Sequence, residues 1–236
     1  MKILKFNTKY FILFTISFIV FTVIGTLSHE YGHILVAENY GYKTYLHYGS
    51  TGSDINKDYK KLNKYHEKNK LLILSKETSK EKTKFTNWLN ELNRKSFWIT
   101  FGGPTQTILT GFLGLLILYL RKDQNQFVFI DWLAVFLSLF WLREVFNLAT
   151  GLFNGLVLKG NYFGGDEYFL SIYLSLPAGT VSIILGLIGL GISLFIIYKI
   201  IPRCYRLTFI ISGLIGGFSG FYLWYNIFGP KLLPLY

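Results

Sequence analysis

The chain of 236 residues is 51% hydrophobic and 16% charged, with a formal net charge of +11. Several apolar runs of about 20 residues, the length that crosses a bilayer core, exclude an ordinary soluble enzyme and predict an all-α polytopic membrane protein. The basic residues cluster in loops beside those runs and no nucleic-acid-binding module is visible, so the charge is expected to meet anionic lipid headgroups rather than nucleic acid.

The first apolar run covers 10–36. Lys2, Lys5 and Lys9 precede it in the manner of a signal peptide, but cleavage would fall just before a pair of histidines and no A-x-A site is present. A retained span is therefore predicted. Near its end stands His29-Glu30-Tyr31-Gly32-His33, an H-E-x-x-H pattern. A helix turns about 100° per residue, so positions four apart share a face and both imidazoles can reach one tetrahedral zinc. Glu30 is then placed as general base toward water that zinc has acidified. With four His in the chain, composition alone yields roughly 0.002 chance matches. Ionisable groups in or beside a span are also costly and usually serve a site.

Residues 39–96 form the one long hydrophilic segment, with 13 Lys/Arg against 6 Asp/Glu and hence a net charge of +7. Residues 42–49 are rich in strand formers and end in glycine, which predicts a short strand or small β-hairpin. Further on, Phe85, Trp88, Leu89 and Leu92 recur at helical spacing beside lysines. That stripe suits either a helix lying on the bilayer surface or one packed on the spans. His47 and His66 read as solvated loop residues.

Four more spans are predicted, near 97–120, 128–150, 178–201 and 206–229, with a short helix at 167–176 stopped by Pro177. The glycines of 186–191 and the Gly216-to-Gly220 pattern allow close helix packing, for architecture, a dimer or a movable gate alike. Cys204 is the one cysteine, which excludes an intrachain disulfide and a cysteine-rich metal site.

Five spans place the end of the first, the start of the second and the end of the third on one membrane face. That face gathers His29 and His33, then Gly102-Gly103-Pro104 with Thr105, Gln106 and Thr107, then Asn147, Asn154 and Asp166. Zinc needs a third protein ligand, and a carboxylate oxygen is a usual donor. Asp166 is the first choice, after Gly164-Gly165, and Glu167 is the nearest substitute; the competing duty for Asp166 is to cap the helix that follows. Glu144 ranks third, because its neighbour Arg143 can neutralise it, and Asp131 lies toward the opposite end of its span. Lys2, Lys5, Lys9, Arg121, Lys122, Lys199, Arg203 and Arg206 share the face opposite the site, which the positive-inside rule makes cytoplasmic.

With these residues in view, the chain resembles the site-2 protease family of intramembrane zinc metalloproteases. The resemblance covers 20–178. Ser28 through Ala37, followed by Gly41 and a strand-like segment, is similar to that family's zinc helix and the hairpin after it. Gly103-Pro104 resembles its Gly-Pro signature, and Asn147-Leu148 with Phe153-Asn154 ahead of Asp166 resemble its asparagine-bearing segment before an aspartate ligand. Two departures stand out. Asp166 follows two glycines and is not in a Leu-Asp-Gly sequence, and Gln106 and Thr107 occupy positions where the family often has asparagine.

The resemblance implies a three-span metalloprotease core at 1–178, including the 39–96 loop, with two additional spans at 179–236. It implies a zinc endopeptidase in which His29, His33 and Asp166 hold the metal and Glu30 is the base. A membrane-spanning protein in the lipid bilayer, of a bacterial plasma membrane given the compact form, would be its substrate. Such a substrate helix must unwind before a carbonyl is exposed. The 42–49 strand could pair with it, and Asn147 or Asn154 could bind its freed backbone groups, unless those asparagines only bridge helices. Two rivals stay open: a catalytically silent zinc-binding relative, and a transporter whose path is lined by Asp131, Arg143 and Glu144.

Overall fold

A computed structural model describes residues 6–124, 126–160 and 162–234. Lys2 and Lys5 lie outside them. In chain order the elements are α1 (Thr8–Asn39), β1 (Thr44–Leu46), β2 (Thr51–Ser53), α2 (Ile55–Lys68), α3 (Lys70–Leu74), α4 (Lys80–Leu120), α5 (Phe129–Ser138), α6 (Leu142–Leu156), α7 (Gly165–Tyr173), α8 (Thr180–Phe195), α9 (Arg206–Leu223) and α10 (Gly229–Leu232). Single π-helical turns carry α8 on to Ile200 and α9 on to Phe228.

Among the described residues four helices are long and apolar enough to cross a membrane: Thr8–Asn39, Lys80–Leu120, Thr180–Ile200 and Arg206–Leu232. Only 17–33% of the residues in their apolar windows are buried inside the bundle. On α1, Leu13, Ile16, Val20 and Ile24 form an exposed stripe at helical spacing, a surface that water would not tolerate and lipid accepts. The third predicted span, 128–150, is divided. A 3-10 turn at Leu139–Trp141 separates α5 from α6. Packing accounts for the break: a methyl group on Gly111 of α4 would strike the Trp141 indole, and one on Gly189 of α8 would lie 2.6 Å from the Trp141 carbonyl oxygen. Trp141 is wedged between two helices at the point where the regular geometry lapses.

Helix α1 is the centre of the bundle, packed on α4 along one side and α9 along the other. Gly216 and Gly220 of α9 lie against Thr15, Phe18, Ile19 and Thr22 of α1. Of the three uses left open for that glycine pattern, the structure shows helix packing within the chain. The aromatic core joins Phe14, Phe18, Phe136 and Phe209, with Trp132 and Tyr205 against it. At the same end Asn7 N donates to Thr208 Oγ1 at 3.1 Å, and Arg121 grips Asp131 with Nε–Oδ1 at 2.7 Å and Nη2–Oδ2 at 3.3 Å. The starts of α1, α5 and α9 thus meet on one side, and of the predicted basic face Lys9, Arg121, Lys122, Lys199, Arg203 and Arg206 are among the described residues at the helix ends there.

At 41 residues α4 is about 61 Å long, twice the hydrocarbon thickness of about 30 Å. Its surplus is the N-terminal half. There Phe85, Trp88, Leu89 and Leu92 pack with Tyr42, Ile55, Tyr59 and Leu62, so the stripe meets α2 and Tyr42 just ahead of the hairpin. The 42–49 segment is half of a hairpin in which β1 pairs antiparallel with β2, Tyr45 opposite Gly52. Residues near the other end of the chain clamp its turn. Trp224 Nε1 donates to Tyr48 O at 2.6 Å, Tyr48 N donates to Leu233 O at 3.2 Å, and His47 Nδ1 donates to Pro234 O at 3.0 Å. His47, expected in solvent, is therefore a buried clamp residue.

Candidate metal centre

The site is built where α1 crosses α4. A methyl group on Gly32 would strike the carbonyl oxygen of Gly102, and one on Gly102 would strike that of Gly32, so the two backbones touch. Small residues permit such an approach between helices in lipid, where no hydrophobic effect drives them together. The next residue of α4, Gly103, faces the histidines: a methyl group there would collide with the Nε2 atoms of both His33 and His29. Four residues to either side of Gly103, on the same face of α4, stand Thr107 and Ile99. The two helices run antiparallel, so His29 falls beside Thr107 and His33 beside Ile99. His29 Nδ1 bonds Thr107 Oγ1 at 2.9 Å, and His33 Nδ1 donates to Ile99 O at 2.7 Å. Pro104 has no N–H for the carbonyl of Thr100, and Ile99 O, in that same turn, is the one turned to His33.

With both Nδ1 atoms engaged, both Nε2 atoms face a common point. Asp166 reaches that point from α7, its Oδ2 lying 2.8 Å from His29 Nε2 and 3.3 Å from His33 Nε2. The ligand atoms of the three residues lie within 4.8 Å of one another. The group could hold a metal ion. Asp166 comes from the first turn of α7 but forms no side-chain cap there. Gly165 before it sits at φ +74°, a left-handed conformation that glycine adopts without penalty. His29 is wholly buried, whereas the Asp166 side chain is 26% exposed, so access to the group is from the carboxylate's side.

Glu30, the residue after His29, is tied to the hairpin. The hydroxyl of Thr51, on β2, bonds both the Glu30 main-chain oxygen at 3.0 Å and its Oε2 at 3.1 Å. The hairpin thereby restrains the carboxylate expected to act as base. Glu167 is directed elsewhere than Asp166: it is buried, and its Oε1 accepts from Asn147 Nδ2 at 3.1 Å. Asn147 consequently joins the site through Glu167. Asn154 is exposed on the last turn of α6, with no side-chain hydrogen bond to the cluster among the described residues.

Glu144 is buried with neither carboxylate oxygen hydrogen-bonded. The expected neutralisation by Arg143 is not observed: adjacent residues of a helix point about 100° apart, and Arg143 makes no ion pair within 4 Å among the described residues. Its Nε is buried without a hydrogen-bond partner. Asp131 is satisfied by Arg121 and by the Val128 N–H at 2.7 Å, at the opposite end of the bundle.

Comparison with protein-family models, curated proteins and solved structures finds no match. Sequence reasoning left three contributors without a role: Gly32 as the crossing point, Thr107 as the partner of His29, and Thr51 as the partner of Glu30. Gly32, the fourth residue of the motif, hinted at the first. Hydroxyl partners carry no spacing signal and emerge only from the packed helices.

Proposed function

We propose that this chain is an intramembrane zinc metalloendopeptidase that hydrolyses peptide bonds of membrane-spanning proteins. The observation that carries this reading is the convergence of His29, His33 and Asp166 within 4.8 Å, beside Glu30, from segments 137 residues apart. The donor set fits zinc. Two imidazole nitrogens and one carboxylate oxygen are the ligands of many catalytic zinc sites, which keep the fourth position open. The partners on both Nδ1 atoms are the outer-shell bonds that orient such ligands. Zinc, when bound there, supplies a Lewis acid for the scissile carbonyl.

The remaining chemistry belongs to the chain itself. Glu30 Oε1 and Oε2 are the atoms to take a proton from water and return it to the leaving amine, and Thr51 holds the Oε2 side in place. The free edges of the two-stranded sheet offer backbone groups to an unwound substrate, which would otherwise lose its internal hydrogen bonds in hydrocarbon. Asn147, through Glu167, steadies the start of α7 and with it Asp166.

The test is metal analysis and cleavage of a single-span helical substrate in detergent, using wild type, Glu30→Gln and Asp166→Ala. One zinc per chain and cleavage abolished by Glu30→Gln are expected, with zinc lost in Asp166→Ala. Zinc without cleavage in the wild type would make the chain a silent binder. An absence of zinc would leave the transporter reading.

A further inference from the structure

A cavity of about 420 Å³ lies between α1, the α5–α6 segment and α9. On α1 it is lined from Phe18 to Thr26, and Thr26 stands three residues before His29, about 4.5 Å along the helix axis. On α4 it is lined by Thr107, the same residue that bonds His29. The cavity therefore adjoins the metal centre and runs from it toward the middle of the bundle. Its walls are aromatic, Phe21, Phe140, Phe146 and Phe221 among them, and Arg143 is the one charged residue on them. It is open sideways. Helices α6 and α9 do not pack along their length and meet through the Phe146–Phe221 stack, with ring centroids 4.8 Å apart. Its α9 wall is deepened by Gly213 and Gly217.

Size decides what can enter. A helix about 10 Å across with a 5.4 Å pitch fills roughly 400–500 Å³ per turn and a span needs more than about five turns, so the cavity is sized for a short stretch of chain rather than a whole span. It suits instead the side chains of a short unwound stretch. We infer that this cavity is the specificity pocket of the proposed peptidase, receiving a bulky apolar side chain beside the scissile bond, while Arg143 turns away lysine and arginine. The inference rests on the peptidase reading. Its physical basis is continuity with the metal centre, an apolar lining, and a lone cation that repels like charge.

The experiment uses single-span peptides in detergent carrying Phe, Leu, Ala or Lys at each residue flanking the cleaved bond. A methyl group on Gly217 meets nothing within 4 Å, so Gly217→Phe can fill the pocket from α9, and Ala149→Leu fills it from α6. Wild type is expected to prefer Phe over Ala at one flanking position by about tenfold or more in kcat/KM, the discrimination one apolar pocket supplies, and to reject Lys there. Both variants should lower that Phe-to-Ala ratio about tenfold with zinc content unchanged. Glu30-dependent cleavage with no size preference, or with a ratio that neither variant moves, overturns the pocket and spares the peptidase. A co-purifying lipid lost from both variants with specificity intact would assign the cavity to that lipid. If wild type cuts no member of the series, peptidase and pocket fall together.

Discussion

Replacing Gly103 with alanine should weaken metal binding far more than it weakens the fold, because the new methyl group falls on the ligand nitrogens while the helix itself gains from the change. In a helix interior Gly→Ala ordinarily stabilises by about 0.5–1 kcal/mol. At Gly103 the new carbon would lie 2.6 Å from His29 Nε2, whereas ordinary contact begins at 3.4 Å. It also overlaps His33 Nε2. A deficit of about 0.8 Å must be relieved by moving the imidazoles, and metal–ligand distances tolerate only about 0.2 Å. Disturbing the outer shell of a metal ligand alone costs 10- to 100-fold in affinity, so displacing both ligand nitrogens should weaken zinc binding at least about 100-fold, or about 2.8 kcal/mol. Thermal unfolding of the apoprotein in detergent should change much less than zinc affinity, because the overpacking cost of about 1–3 kcal/mol is partly offset by the helix gain. Gly191→Ala, where a methyl group meets nothing within 4 Å, serves as the control and should keep full affinity. Competition with a calibrated chelator reads the zinc affinity. A Gly103→Ala protein that binds zinc as tightly as wild type would refute the placement of the ligand atoms against α4.

Thr107→Val removes the hydroxyl bonded to His29 at nearly constant volume, and chelator competition should register a 10- to 100-fold loss of zinc affinity. Thr51→Val should leave zinc content intact and slow cleavage, since it frees the Glu30 carboxylate from the hairpin while touching no ligand; equal rates would deny the hairpin that part. Arg121→Gln leaves Asp131, 7% exposed, with a single backbone donor, and should cost about 1–3 kcal/mol in detergent unfolding. Because that pair sits at the opposite end of the bundle, the zinc affinity of Arg121→Gln should match wild type.

The site was legible wherever chemistry imposes spacing. Two imidazoles four apart, and a carboxylate on the next segment of chain to reach the same membrane face, pick out His29, His33 and Asp166, the three residues whose ligand atoms lie within 4.8 Å of one another. The short helix, read at 167–176, and the last two spans were legible from apolar length and from Pro177. The interruption at Leu139–Trp141 was not. All three residues are apolar, so hydropathy runs on unbroken, and the cause is the fit of Trp141 against Gly111 and Gly189 of other helices. The stripe from Phe85 to Leu92 declared a buried face but not its partner, because α2 is nearly as polar as the loop around it and contributes little besides Ile55, Tyr59 and Leu62. The clamp on His47 depends on a contact across 187 residues, beyond anything that local pattern encodes.

That clamp bears on biosynthesis. The hairpin emerges from the ribosome early, yet its turn is held by Trp224, Leu233 and Pro234. At about 5–20 residues per second, the 187 residues between His47 and Pro234 take on the order of 10–40 s to translate. During that interval the strand that tethers Glu30 is anchored at one end only. A newly made molecule therefore closes this clamp only after α9 and the residues that follow it have been synthesised.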